Sequence, residues 1–543
     1  SVRRSGQTIA SALHETGIPY LIAGMNNLFD QPEVEAARQL FYFLAHKATR
    51  SEVSSAWCRA NLGLERARIG AALDQAEQAR ADMQSAGTGR FKVYNLQRQF
   101  IAFLESVGLR EESVPNGRGE IVFYNLGKFS QVISDFENIH FHSEPVRKYR
   151  SFAGFLEHQA ATAYPEGWQD NAFATPNAVR IMTVHQSKGM QWPVVFVPQL
   201  VKNKFPLCRP GGRTVWHLLP ASAFKNQHRY VGDVEDERRL FYVAMTRSQK
   251  FLHMTWAPTP GNSRARSASE FFCDVQASCF VEKRQHSYAK RKRATPRAKV
   301  SVANVTLSFS DVKYFFECPY QFKLRILYGF NAPLDEALGF GKSLHNILAE
   351  IHARAQRGDL TSAEEVDVLV RRHLRLPFAY SSLREKLQAA AEKVVKEYVE
   401  RNRDRFLSIE FSEKPIEVSL GDGISIVGRI DLVRKLDTNE VTIIDLKTNE
   451  RTQAEEVTKT QLHMYALGYQ GLTGRVADYV EIYELEDGKQ KRRAVDDQLL
   501  TEVKRNVRRA AKALRENSLP PTPGKQTCKT CDYTRLCSSA IVG

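Results

Sequence analysis

Gly428-Arg429-Ile430-Asp431 and Ile443-Ile444-Asp445-Leu446-Lys447-Thr448 are two apolar runs that each reach an aspartate, with a lysine two residues beyond the second. Read as neighbouring strands, they put Asp445 and Lys447 on one face, because residues i and i+2 of a strand project together. Two carboxylates and an ammonium at one sheet edge suit phosphodiester hydrolysis. Carboxylates hold Mg²⁺ or Mn²⁺ through oxygen, and a lysine steadies a water-derived nucleophile or the charge building on phosphorus. The plainer reading is a surface hairpin with a weak aspartate–lysine ion pair.

The neighbours favour the first reading. Upstream, Pro415-Ile416-Glu417-Val418-Ser419-Leu420 alternates as an adjoining strand would, and Glu417 is a candidate outer carboxylate. His345 lies in Gly341-Lys342-Ser343-Leu344-His345, at the start of a long helical stretch. Downstream, Gln461-Leu462-His463-Met464-Tyr465 places Gln461 and Tyr465 four apart, on one helix face. In order and rough spacing this set resembles the RecB-like branch of the PD-(D/E)xK nucleases. The resemblance implies metal at His345, Asp431 and Asp445, catalysis by Lys447, and support of the DNA and the active site by Gln461 and Tyr465. It implies an active metal-dependent deoxyribonuclease.

Eight cysteines are present, and four have a pattern: Cys528-x-x-Cys531-x(5)-Cys537 near the end, and Cys318 in Phe316-Glu317-Cys318-Pro319-Tyr320. Sparse cysteine in a long chain without a secretory signal argues against a disulfide framework. Zinc suits four thiolates on spacing alone. A lone cysteine followed far downstream by C-x2-C-x5-C also resembles the iron–sulfur staple of AddB-type nucleases, which implies a 4Fe-4S cluster joining both ends of the domain. Closing so long a loop restricts the unfolded chain, a physical reason for such a clip. Cys58, Cys208, Cys273 and Cys279 have no ligand spacing and are expected as small buried hydrophobes.

The front half carries other motifs. Ile181-Met182-Thr183-Val184-His185-Gln186-Ser187-Lys188-Gly189-Met190-Gln191-Trp192 is a polar loop running into an apolar strand. Asp236 to Arg247 reads as a helix, with Leu240, Val243 and Ala244 expected inward and Arg247 near its end. These segments resemble motifs V and VI of UvrD/Rep-type superfamily 1 helicases, and Leu13 to Val34 resembles the region after motif IV. The resemblance implies that Arg247 contacts the ATP γ-phosphate and that Thr183, His185 and Lys188 contact DNA or relay between DNA and nucleotide. Gln191 stands where the family usually has glutamate, as an ATP-binding position at which an amide still hydrogen-bonds.

No phosphate-cradling G-x-x-x-x-G-K-[ST] loop accompanies them. The one Gly-Lys-Ser, at 341–343, has Glu336 where the first glycine belongs and fits the histidine motif better. The expectation is therefore a C-terminal portion of a longer helicase–nuclease, lacking its first motor domain and unable to hydrolyse ATP alone. A missing motor domain or a partner helicase subunit would complete it.

Composition sets bounds. The 543 residues suffice for three or four domains, and 43% hydrophobic content is ordinary. No run has the length of a membrane span, so no membrane partner is expected. A net charge of +16 and a pI near 9.4 favour a polyanion. Residues 1–45 and 172–262 read as two parts of a second RecA-like α/β motor domain, and 46–171 as a helical insertion. A basic linker follows at 263–305, with Lys283-Arg284, Lys290-Arg291-Lys292-Arg293, Arg297 and Lys299. A nuclease domain with a mixed central sheet flanked by helices closes the chain at 306–543. In the insertion, Phe91, Tyr94, Phe100 and Phe103 are expected as helix core rather than base-stacking groups. Lys504, Arg505, Arg508, Arg509 and Lys512 sit in a basic helix from Leu499 to Arg515, within reach of phosphates on one side.

The combined expectation is a cytoplasmic, bacterial-type, nucleoid-associated helicase–nuclease acting on single-stranded DNA and duplex ends, in break resection or degradation of invading DNA. Two alternatives come from other classes: a non-catalytic DNA-binding scaffold subunit, and a single-strand nuclease independent of any motor.

Overall fold

The computed structural model describes residues 2–16, 18, 20–22, 28–85, 95–141, 145–160, 178–185, 187–207, 232–256, 267–282, 305–448, 455–495 and 497–541. The basic stretch 283–300, together with Gly24, Phe91, Tyr94, Gln186 and Cys208, lies outside them. Two compact units emerge. One contains Ser1–Asn27, Tyr164–Trp168 and Ala178–Pro296; the other contains Leu28–Ala163, Gln169–Asn177 and Arg297–Gly543.

In the first unit, strand Tyr20–Ile22 pairs in parallel with Val179–Ile181, rejoining segments far apart in sequence. Strand Trp192–Val197 pairs in parallel with Ser248–Met254. Between them runs the helix Val234–Met245, started by a capping box in which the Asp233 side chain accepts from Asp236 N. Of the residues expected inward, Ala244 is buried while Leu240 and Val243 are half-buried, and Phe241 is the other buried residue. Nearly every residue from Leu240 to Met245 is apolar, so periodicity leaves the phase open. The bulkiest ring settles it: Phe241 stacks on Phe271 at 5.2 Å and meets Phe205 edge-on at 5.6 Å.

The second unit joins a helical body to a sheet. Helices Pro32–Leu44, Arg50–Arg59, Arg66–Ser85, Leu96–Ser106, α1 (Gly119–His140) and Pro145–His158 form the body. Its core holds Phe41, Phe129 and Phe152, with Phe100 and Phe103 buried as expected. Helix α1 is buried along most of its length because its other side meets residues 320–334. A Cβ on Gly127 would lie 2.2 Å from the Tyr328 carbonyl oxygen, so only glycine permits this approach. Lys323 pairs with Glu111 at 2.5 Å, and the Tyr328 hydroxyl donates to the same carboxylate at 2.8 Å.

The sheet contains β1 (Val305–Ser308), β2 (Ile409–Ser419), β3 (Ile424–Lys435), β4 (Val441–Lys447), β5 (Tyr479–Glu484) and β6 (Gln490–Ala494). β3 is central. β2 pairs antiparallel along almost all of one edge, from Ser419↔Ser425 to Ile409↔Arg434. A strand has only two edges, so β1 and β4 share the other. β1 runs parallel to Ile424–Val427 and β4 antiparallel to Leu432–Lys435. Between them the edge of Gly428–Asp431 is left open. β4, β5 and β6 then continue the sheet.

Helices α2 (Phe340–Ala355), α3 (Ser381–Asn402) and α4 (Glu455–Thr473) cover this sheet, and α5 (Asp497–Arg515) packs on α4. Ile347, Ile351, Val395 and Tyr398 pack with Leu432, Ile444 and Tyr483 in one core. Gly341-Lys342-Ser343 forms the first turn of α2, where Ser343 Oγ accepts from Arg375 N at 2.9 Å.

Candidate metal centre and catalytic residues

The open edge of β3 is where the polar groups gather. One step past the Leu432↔Ile444 pair, the register sets Asp431 opposite Asp445. Both are buried, at 9% and 1% exposure, among strand residues that are mostly isoleucine, leucine and valine. Asp431 Oδ2 accepts from Leu446 N at 2.9 Å, which fixes the carboxylate against β4. From α2, His345 Nδ1 lies 3.7 Å from Asp431 Oδ1. Lys447 Nζ lies 2.8 Å from Asp445 Oδ2, on the shared face that strand alternation predicts.

Glu413 completes the set, and motif reading missed it. It faces Asp431 across the β2–β3 ladder, and its Oε1 is 3.4 Å from His345 Nδ1. Its backbone is left-handed, at φ 50° within a strand, a conformation that costs a non-glycine residue on the order of 1 kcal/mol or more. From Glu410 to Lys414 every residue is half-buried, so no inside–outside alternation marks this part of the strand. Glu417, four residues on, is exposed beside buried Ile416 and Val418.

Among the described residues, His345, Glu413 and Asp431 bring their donor atoms within 4.8 Å of one another, the one group of three or more that does so. Burial, reinforced by the Asp445 carboxylate, pushes Asp431 up to about 7. Burial alone would lower His345, but the Glu413 hydrogen bond and the Asp431 and Asp445 charges outweigh it and raise it. A divalent cation held by these oxygen donors and one imidazole would offset the clustered negative charge. The donor set fits Mg²⁺ or Mn²⁺ chemistry.

Gln461 and Tyr465 are brought to the same place by α4. Gln461 Nε2 donates to the Tyr465 hydroxyl at 2.7 Å, while its buried Oε1 has no hydrogen-bond partner among the described residues. Burial and then the two aspartates hold the Tyr465 phenol well above its ordinary pKa, so it stays neutral. Its ring meets Phe309 at 5.1 Å, and Phe309 lies over Gly428, where a Cβ would be 2.2 Å from that ring. The glycine thus lets an aromatic wall close over the open strand edge.

Cys318, Cys528, Cys531 and Cys537 line a single pocket with Tyr320, Pro521, Thr522 and Thr534. Thr522 N lies 3.4 Å from Cys318 Sγ, and Thr534 Oγ1 donates to the Cys528 and Cys531 carbonyls. Burial pushes the Cys531 thiol up to about 12 and also raises Cys537. No three of these sulfurs fall within 4.8 Å of one another. Four thiolates about 2.3 Å from one tetrahedral zinc would sit closer than that. Of the remaining cysteines, Cys58, Cys273 and Cys279 are exposed, contrary to the expectation of buried hydrophobes. Cys58 and Cys273 lie on exposed helix faces and Cys279 in a turn, placements about which composition carries no signal.

In the first unit, Thr183, His185 and Lys188 lie on the turn before strand Trp192–Val197. His185, Lys188 and Gln191 are exposed and Thr183 is half-buried. Arg247 is held by its own unit: Nε donates to the Val243 carbonyl at 2.9 Å, Nη1 to Met190 O at 3.0 Å and Nη2 to Thr246 Oγ1 at 2.9 Å. Thus Arg247 ties the helix end to the motif turn.

The fold and site define a PD-(D/E)XK nuclease domain, and the model of that superfamily matches residues 306–538. A UvrD-like helicase C-terminal domain matches residues 71–259. The chain therefore combines a UvrD-like helicase C-terminal domain with a PD-(D/E)XK nuclease domain. It is similar to the ATP-dependent DNA helicase PcrA of Staphylococcus aureus (strain Mu50), 27% identical over 178 residues, 32% of this chain and 20% of that protein. PcrA of Staphylococcus epidermidis (strain ATCC 12228) matches at 27% over 32% of this chain and 21% of its own length. The chain thus spans about a fifth of the curated relatives it matches. Among solved structures, the crystal structure of SSO0001 covers 45% of this chain and 90% of its own, at 14% identity and a TM-score of 0.22. No helix among the described residues is long and apolar enough to cross a membrane.

Proposed function

We propose that this chain is the C-terminal portion of a DNA helicase–nuclease whose nuclease domain hydrolyses DNA phosphodiesters with a divalent metal. The observation that carries the reading is the convergence of His345, Glu413, Asp431, Asp445 and Lys447 at the open edge of β3. His345, Glu413 and Asp431 would hold the ion with Asp445 beside them; when bound, it supplies a Lewis acid for the scissile phosphate and an acidified water.

The chain's own residues do the rest. Leu446 N fixes the Asp431 carboxylate in place. Lys447, close to the Asp445 carboxylate, sets an ammonium where negative charge grows on the phosphorus oxygens. Neutral Tyr465, held by Gln461, offers a hydroxyl beside the carboxylates without adding charge, and the Gln461 Oε1 remains open to a donor on the strand. The aromatic wall of Phe309 and Tyr465 limits water.

The cysteine pocket would hold a 4Fe-4S cluster. Its sulfurs are spread more widely than one zinc ion needs, and four thiols lining one pocket give the ligand count. On the motor side, ATP contacts by Gln191 and Arg247 and DNA contacts by Thr183, His185 and Lys188 require a first motor domain or partner subunit that brings the phosphate loop. DNA degradation or resection follows as the role of the assembled machine.

The test is ATP-free cleavage of labelled single-stranded and duplex DNA with Mg²⁺ or Mn²⁺, comparing the chain with Asp445→Ala. Metal-dependent cutting that drops by about three orders of magnitude in the variant, near 4 kcal/mol of lost stabilisation, supports the reading. Binding without cutting by either protein favours the scaffold alternative.

A further inference from the structure

Helix α5 is divided cleanly by charge. Val503, Val507, Ala510, Ala511 and Leu514 are buried, and α5 lies against α4. Arg505, Arg508, Arg509 and Lys512 are exposed, spaced i, i+3, i+4 and i+7, so they form one stripe on the opposite face. The stripe runs about 10 Å along the axis, close to three phosphate steps of one strand at about 3.4 Å each.

Three features separate this from an ordinary solvated face. Its counter-charges are weak: Arg505 meets Glu502 at 3.5 Å and Lys512 meets Glu516 at 3.8 Å, both in exposed pairs. Arg509 has no partner among the described residues. The helix is also anchored to the catalytic strands, since Arg508 Nη2 donates to Leu420 O at 3.1 Å and Arg515 reaches Asp422 O, both at the β2–β3 turn. α4, beneath it, carries Gln461 and Tyr465. A favourable helix dipole accounts for cations in the last turn only, whereas this stripe begins a full turn and more earlier.

We infer that the outer face of α5 is a phosphate track that holds the DNA backbone as a strand enters or leaves the carboxylate site. The inference rests on the nuclease reading and names a surface for its substrate. Contact is to phosphates rather than base edges, so the track is indifferent to sequence and sensitive to salt.

The experiment measures anisotropy of a labelled single-stranded oligonucleotide, and of its duplex, against salt without divalent metal. It compares the full chain with R509Q/K512Q and with K386Q/K393Q, a control that removes the same charge from exposed positions on α3. The stripe variant is expected to bind about tenfold more weakly at low salt. Its slope of log K on log salt should be shallower by about 0.7 per lost contact, and the control should match the wild type. Equal slopes in wild type and stripe variant, or the same loss in the control, overturn the inference. An unchanged thermal midpoint excludes misfolding. Failure of the wild type to cut DNA with metal overturns the nuclease reading and leaves this binding difference standing or falling on its own.

Discussion

The nuclease site and the motor motifs in this chain are opposite cases of assembly. Around β3, one sheet and two helices supply every group: Glu413 from β2, Asp431 from β3, Asp445 and Lys447 from β4, His345 from α2, and Gln461 and Tyr465 from α4. All lie in one compact unit, and burial has already raised the proton affinities of Asp431 and Tyr465. In the other unit, Gln191, His185 and Lys188 face solvent, and Arg247 spends its guanidinium on backbone carbonyls and a hydroxyl. A site built within one core is complete when that core folds. A site shared between domains leaves its residues exposed or provisionally paired.

Substitutions sharpen that contrast. Lys447→Ala is expected to lower the cleavage rate by about a hundredfold to a thousandfold with DNA affinity unchanged, because it removes charge stabilisation made only in the transition state. Single-turnover cleavage beside an anisotropy titration checks this, and retained cleavage removes Lys447 from the chemistry. Glu413→Gln keeps shape but loses charge, so the Mg²⁺ concentration for half-maximal cutting should rise by about tenfold to a hundredfold. An unchanged metal requirement would mean that Glu413 only orients His345.

Much of this was legible beforehand. Asp431, Asp445 and Lys447 were readable because strand alternation is rigid and local, and α4 presents Gln461 and Tyr465 by the helical four-residue step. Glu413 was not readable, because clean alternation begins only at Pro415 and so singled out Glu417 instead. The phase of the helix Val234–Met245 was ambiguous for the reason that makes it stable: apolar residues crowd every face near its end. Packing of the helical body against residues 320–334 depends on Gly127 meeting Tyr328 and on Glu111 meeting Lys323 across more than two hundred residues. No local pattern encodes such a seam.

The seam also bears on the cysteine pocket. Tyr533, between Cys531 and Cys537, donates to Phe330 O at 2.7 Å, and Phe330 packs on Phe123 of α1. Cys531→Ser is expected to abolish the absorption near 400 nm that a 4Fe-4S cluster would give. It should also lower the thermal midpoint of this unit by about 2 °C, the shift for about 2 kcal/mol in a unit of this size. A colourless wild-type protein with bound zinc would overturn the cluster assignment.

Behind the site, His352 is buried between Ser412 Oγ at 3.0 Å and the Tyr398 hydroxyl at 2.9 Å, and burial pulls it down to about 3. The unfolded chain takes up this proton near pH 6.5, and the folded chain does not until about pH 3. Stability is therefore full above pH 6.5 and falls on acidification at about 1.4 kcal/mol per pH unit, amounting to about 2 kcal/mol by pH 5. Urea midpoints of wild type and His352→Gln at pH 7.5 and 5 measure this. The variant should lose that share of the slope, and parallel slopes would place the acid sensitivity elsewhere.

The smallest effect tests the contrast most directly. Arg247→Ala should leave ATP-independent DNA cutting within about twofold of wild type, because all its hydrogen bonds lie within the first unit while the carboxylate site is complete in the second. Its effect should appear only when a phosphate loop is supplied by a complete motor, where loss of an arginine on the γ-phosphate lowers ATP turnover by about three orders of magnitude or more. A deficit in ATP-free cutting would show instead that the motif turn acts on the nuclease directly, and the two regions could no longer be treated as separate cases of assembly.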